Sequence, residues 1–173
     1  MLVRGERGKS SPKAQVGHKE RMNLLVKLRH DMLTHGVYVV CAQHDGRRGG
    51  LAVAWATQVA KDRILICVGE QSATRELILA SKAFGLSVLT REQIDVARAF
   101  GTRSSRKVDK FEGVSYHTAE TGSPLLDDCA ATFDCKVEAV HSQDDQKLIV
   151  GRIVAAERLR EAYEPLIYRE EDY

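Results

Sequence analysis

Gly49-Gly-Leu-Ala-Val-Ala-Trp-Ala-Thr-Gln-Val59 alternates with a period of two. On an extended chain, Leu51, Val53, Trp55, Thr57 and Val59 share one face, and Ala52, Ala54, Ala56 and Gln58 share the other. The first face is bulky and β-favouring, which predicts a single strand through the whole stretch. The second face is almost all methyl groups. A strand cleared in this way leaves room for something flat, or for a helix or strand packed closely against it.

Working outward, Gly36 to Ala42 is a β-rich run, and His44-Asp45-Gly46 turns it back into the quoted stretch. After Lys61-Asp62-Arg63 comes Ile64–Val68, a continuous apolar run of strand length. Gly69-Glu70-Gln71 breaks it, and Ser72 is placed to cap a helix over residues 73–81. Ala83–Leu89 is a further strand, and Thr90-x-x-Gln93 is a capping box opening a helix that stops at Phe100-Gly101. A basic loop spans Arg103 to Phe111. Cys129–Val140 alternates as a strand with one buried and one largely wet face; it turns at residues 143–146 and pairs with Leu148–Val154.

At the other end, residues 1–18 read as a flexible arm, followed by an amphipathic helix over 19–34 carrying Met22, Leu25, Val26, Leu28 and Met32. The domain is thus expected over residues 19–173. Its elements add up to a mainly β chain with inserted helices: about six strands, mostly antiparallel, and three helices. A small, closed or partly closed Greek-key barrel fits that order. No Gly-x-Gly-x-x-Gly follows a strand, which argues against a Rossmann dinucleotide site.

A chain of 173 residues, 43% hydrophobic and 29% charged, is one ordinary globular domain. It has neither a run of membrane-spanning length nor the apolar core of a signal peptide. Its cysteines (41, 67, 129, 135) lack Cys-x-x-Cys spacing and sit in apolar segments, so buried free thiols in the cytoplasm are expected. The six histidines lack ligand spacing, and no metal is expected. Net charge is +2, but residues 1–30 hold eight Lys/Arg against two Glu. Without aromatics for base stacking, that arm is expected to be solvated, with nucleic acid an unlikely partner.

Ser72 and Thr74 place hydroxyls beside free amides at a helix N-terminus, a setting suited to a phosphate dianion. Arg75, Arg103 or Lys110 could supply countercharge. Beside the alanine-faced strand and Thr57-Gln58, this suggests a flat ring on small side chains with its phosphate at the helix. Ser72 in isolation reads first as a plain cap; the joint pattern is what points to a phosphate.

Over roughly residues 34–155 the chain resembles the flavin reductase-like family of FMN-binding split barrels. The resemblance is carried, in order, by Gly36-Val-Tyr-Val-Val, Gly50-Leu-Ala-Val-Ala-Trp-Ala-Thr-Gln-Val-Ala, Gln71-Ser-Ala-Thr-Arg-Glu-Leu-Ile and Phe84-Gly-Leu-Ser-Val-Leu. Asp109-Lys-Phe-Glu-Gly-Val, Gly122-Ser-Pro-Leu-Leu, Phe133-Asp-Cys-Lys-Val and Val150-Gly-Arg-Ile-Val complete it. It implies an antiparallel Greek-key split barrel and a homodimer with FMN near the interface. It further implies an NAD(P)H:flavin oxidoreductase, with an FMN electron carrier of the flavoredoxin type as the alternative. The implied flavin contacts are Ala54, Trp55, Ala56, Thr57, Gln58, Ser72, Ala73, Thr74, Ser87, Arg103 and Lys110. No side chain need act as acid or base, because the flavin carries the redox chemistry. The chain departs from the pattern at Ala52 and Ala54, where similar proteins often have Thr and Ser, and at Ser87, where they have Asn. Where many family members carry the Gly-Asp-His histidine associated with nicotinamide, this chain has Gln146, with His141 nearby.

Overall fold

The computed structural model describes residues 33–172. The expected arm, and all but the last two residues of the helix over 19–34, lie outside them. Strand β1 (Tyr38–His44) turns through Asp45 and Gly46 into β2 (Arg47–Val53). Both turn residues have positive φ, 48° and 73°, as a two-residue hairpin requires. Then follow β3 (Ala56–Ala60), β4 (Arg63–Gly69), helix α1 (Ala73–Ser81) and β5 (Ala83–Val88). A 3-10 turn at Arg91–Gln93 leads into α2 (Ile94–Thr102). Short strands β6 (Tyr116–Thr118) and β7 (Pro124–Leu126) precede the long hairpin of β8 (Ala131–Gln143) and β9 (Gln146–Arg158).

The first correction concerns the quoted stretch. It is two strands, not one, broken at Ala54-Trp55. The halves take different partners: Val53 pairs with Tyr38 on β1, whereas Ala56 pairs with Ile66 on β4. The main sheet has seven antiparallel strands in the order β2-β1-β5-β8-β9-β4-β3, so the halves form its opposite edges. Because Val53 and Ala56 are three peptide units apart, their Cα atoms lie within roughly 11 Å. The sheet must therefore curl until its edges approach. No ladder joins β2 to β3, so the closure is incomplete and the barrel is split. Alternation fails across the break: Val53 is buried, while Trp55 and Val59 are exposed.

With β6 and β7 forming a separate two-stranded sheet, the described residues hold nine strands where about six were expected, and two of the three expected α-helices. The added strands come from the split stretch and from residues 116–126, too short to show periodicity. The capping pattern survives in part, since the Gln93 side chain accepts the Thr90 N–H at 2.9 Å.

Strand β1 is buried on both faces. Val40 and Ala42 join one apolar cluster with Ile66, Ile78, Phe84 and Ile149; Val39 and Cys41 join another with Ala97, Phe100, Phe111 and Leu166. Two-sided burial explains its unbroken apolar run. The four cysteines are free; three are buried and Cys67 is half-buried.

The second correction concerns Cys129–Val140. The strand begins at Ala131, and on the face expected to be wet Thr132 and Asp134 are buried, with only Lys136 and Glu138 exposed. The segment ahead of β7 covers that face: Thr121 donates to Asp134 from its backbone N–H (2.7 Å) and its hydroxyl (2.5 Å). Removing a buried carboxylate acceptor strands those donors. Asp134→Ala is expected to cost roughly 2–3 kcal/mol in urea denaturation, and an unchanged midpoint would show that the cover is held by other contacts.

Candidate functional site

Two adjacent glycines bring three elements onto β2. A Cβ on Gly49 would lie 3.0 Å from Leu77 Cδ1 and 3.1 Å from Thr74 Oγ1, so a bare backbone lets the start of α1 settle there. A Cβ on Gly50 would lie 2.5 Å from the Phe100 ring, which brings in the end of α2. The loop after α2 supplies the third element. Lys110, almost wholly buried, donates from Nζ to the carbonyls of Gly50 (2.8 Å) and Phe100 (2.6 Å). Ser105 Oγ donates to the Gly50 carbonyl at 3.3 Å and accepts the Gly50 N–H at 3.4 Å.

These three elements enclose a cavity of about 230 Å³ whose walls include Ser72, Ala73, Thr74, Arg103, Ser105 and Lys110. Ser72 is extended (φ −73°, ψ 122°) and its side chain does not cap α1. The hydroxyl is therefore not spent on the first-turn amides, which form the positive end of the helix dipole. Burial pushes the Lys110 ammonium down to about 8, and an anion in the cavity would oppose that shift. A second cavity of about 220 Å³ shares Ala52 and Gly101 with the first, and is walled by Val37, Val53, Ala54, Thr102 and Tyr168. Gly50, Ala52 and Ala54 thus line a floor between a polar, cationic end and a less polar one.

Of the residues singled out from sequence, the structure gathers Ser72, Ala73, Thr74, Arg103 and Lys110 around the first cavity and Ala54 around the second. It leaves Trp55, Ala56, Thr57 and Gln58 outside both. The Trp55 carbonyl accepts the Cys67 N–H at 2.9 Å, Ala56 packs on the core, Thr57 is exposed, and Gln58 donates to the Lys61 carbonyl at 2.9 Å. Ser87 is buried and its hydroxyl accepts the Leu126 N–H at 3.0 Å, tying β5 to β7. Arg75 lies against Glu70 at 3.9 Å and lines neither cavity. His141 and Gln146 belong to the β8–β9 hairpin, whose tip is held by the Glu70 N–H donating to the Asp145 carbonyl at 2.8 Å. They too lie outside both cavities. Gly50, Ser105 and Tyr168 line the cavities without having been singled out. The Gly-Gly pair before a run of alanines was the available signal, since strand glycines mark close approach.

A family model described as flavin reductase like domain matches residues 28–173. The chain is 33% identical over 134 residues to the ferric-chelate reductase (NAD(P)H) of Archaeoglobus fulgidus, covering 75% of this chain and 79% of that one. It is 30% identical over 150 residues to an FMN reductase (NADH) of Rhizobium rhizogenes, covering 84% and 85%. Among solved structures, the NADH:FAD oxidoreductase SgcE6 of Streptomyces globisporus superposes with a TM-score of 0.77 at 27% identity, over 91% of this chain and 93% of that one.

Lys110 sets a pH test. Its folded-state value lies below that of the unfolded chain, so its contribution to stability rises with pH between about 8 and the ordinary lysine range. A bound dianion has the opposite preference, because it holds the proton on. Affinity for FMN is expected to be level between about pH 7, where its phosphate is a dianion, and about pH 8, and to fall above that, while riboflavin, lacking the phosphate, stays level. Equilibrium titrations of both ligands across that range check this. An equal fall for riboflavin would place the titrating group elsewhere.

Proposed function

The chain belongs to the family of flavin reductase like domains, and from that membership and the paired cavities we propose that it is an FMN-dependent NAD(P)H:flavin oxidoreductase. The observation that carries this is the continuity of a phosphate-suited end with a floor of small residues. Ser72, Ala73 and Thr74 would hold the phosphate, with Arg103 at the rim and Lys110 beneath. The ring would lie over Ala52 and Ala54, toward the cavity walled by Val37 and Tyr168. FMN, when bound, supplies hydride and electron transfer between nicotinamide and acceptor. This chain's residues bind and orient it, and no His, Asp or Glu faces either cavity to act as acid or base.

Trp55, just ahead of edge strand β3, and Val59 on it are exposed, and this supports a homodimer formed on that side, next to the flavin floor. Among the described residues no helix is long and apolar enough to cross a membrane. Free cysteines support action in the cytoplasm. A second assignment, an FMN electron carrier with little nicotinamide activity, is favoured by Gln146 at the family's histidine position. Turnover of NADH or NADPH with added flavin separates the two.

Replacing both Ser72 and Thr74 by Ala is expected to weaken FMN binding by about 2 kcal/mol, roughly thirtyfold, while saturating FMN restores NAD(P)H oxidation. Fluorescence titration measures the loss. An unchanged dissociation constant would move the phosphate away from α1.

A further inference from the structure

Lys110 reaches Gly50 and Phe100 from a loop, and its chain neighbour anchors that loop. Asp109 Oδ1 accepts the Phe111 N–H at 3.0 Å, closing a local turn at Lys110, and its Oδ2 accepts from Arg48 Nη2 at 2.6 Å. That hydrogen bond holds the Asp109 carboxyl below its ordinary range. Arg48 stands two residues before Gly50 on β2, so the two share a face of the strand, the face Phe100 packs against. Arg48 Nη1 donates to the Tyr116 hydroxyl at 2.5 Å, and the guanidinium lies over the Phe111 and Tyr116 rings at 5.1 and 5.3 Å. The rings continue inward: Phe111 meets Tyr116 at 5.1 Å and Phe100 at 5.4 Å, both edge-on. The loop thus grips one face of β2 twice, through Asp109 at Arg48 and through Lys110 at Gly50. Neither Arg48 nor Asp109 lines the phosphate-suited cavity, whereas Lys110 does.

We propose that Arg48 and Asp109 are positioning residues for the phosphate end of the cradle, acting through Lys110 and touching no ligand themselves; this rests on the assignment of that cavity to the FMN phosphate. An isolated exposed ion pair holds little in place. This one is part of a net, because a carboxylate, a phenol and two ring faces fix the same guanidinium. Releasing Asp109 frees the turn that carries Lys110, and the ammonium loses its fixed place against β2. A direct effect of charge on the phosphate has a different signature. Removing the Arg48 cation would then weaken FMN, and removing the Asp109 anion would tighten it. A positioning pair gives losses of the same sign from both ends.

The test is equilibrium titration of the full-length protein with FMN and riboflavin, for wild type, Arg48→Gln and Asp109→Asn, and for each variant combined with Lys110→Met. Both single variants are expected to weaken FMN about fivefold and to leave riboflavin within about twofold, the retained riboflavin binding showing an intact fold. With Lys110→Met already present, neither change is expected to weaken FMN by more than about 1.5-fold, because the residue they act through is gone. Tighter FMN binding by Asp109→Asn would overturn the positioning role in favour of direct charge and leave the FMN assignment standing. So would an unchanged FMN affinity in either variant, a loss that persists in full beside Lys110→Met, or an equal loss for riboflavin. A wild-type protein that binds FMN no better than riboflavin would overturn the phosphate assignment and the positioning role with it.

Discussion

Two residues, Ala54 and Trp55, join strands that lie at opposite ends of a seven-stranded sheet. Each strand has its own ladder, β2 with β1 and β3 with β4, and neither can give up its hydrogen bonds without stranding backbone groups. The short link and the fixed ladders together permit only a curled sheet. Curling encloses the cluster built from Val40, Ile66, Phe84 and Ile149. It also leaves β2 as an edge whose second side is not paired to β3. That unpaired edge is where α1, α2 and the basic loop converge, so the position of the cavities follows from how the barrel fails to close.

What converges there is held by polar contacts in an apolar setting. Lys110 spans Gly50 on β2 and Phe100 on α2 with one ammonium, and Ser105 adds two contacts to the same glycine. An ammonium this deep costs desolvation free energy, visible in its lowered pKa, and two carbonyls offset part of that cost. A methionine of similar length could fill the space but would leave both carbonyls without this donor. The charge ties β2 to the end of α2, and on the proposed assignment a bound phosphate would complete its compensation. Structural support and the proposed ligand electrostatics would then reside in one side chain.

Much of this was legible in sequence because it was written in local chemistry. Asp45-Gly46 specified a hairpin turn, Ser72 and Thr74 the start of a helix, and the ordered family-like segments the barrel. The break inside Gly49–Val59 was not legible. Alternation is a property of each half, and nothing in Ala-Trp announces a change of partner; the break is imposed by tertiary pairing. The same limit applies to Thr132 and Asp134. They are polar and alternate as a wet face should, but both are buried, and Asp134 accepts from Thr121 in a segment upstream. Ser87 stood where the family pattern has a flavin-side Asn, yet its hydroxyl serves β7. Periodicity reports which residues share a face, and it cannot report what lies on that face.

The cysteines bear on the proposed chemistry. A flavin passing electrons inside a barrel with four thiols would be compromised if those thiols were thiolates, since the thiolate is the reactive form. Burial pushes Cys129 up to about 11 and Cys135 up to about 12, and it raises Cys41 and the half-buried Cys67 as well. Cys41 is the telling case, because a Cβ on Gly50 would lie 3.1 Å from its sulfur, directly under the cradle floor. Lys110 nearby would favour its thiolate, but desolvation is the larger effect and keeps the proton on. Beneath the site, then, sulfur serves as an apolar filler beside a buried cation. On the proposed assignment the walls would bind and orient a flavin, and the redox-active atoms would be those the flavin brings.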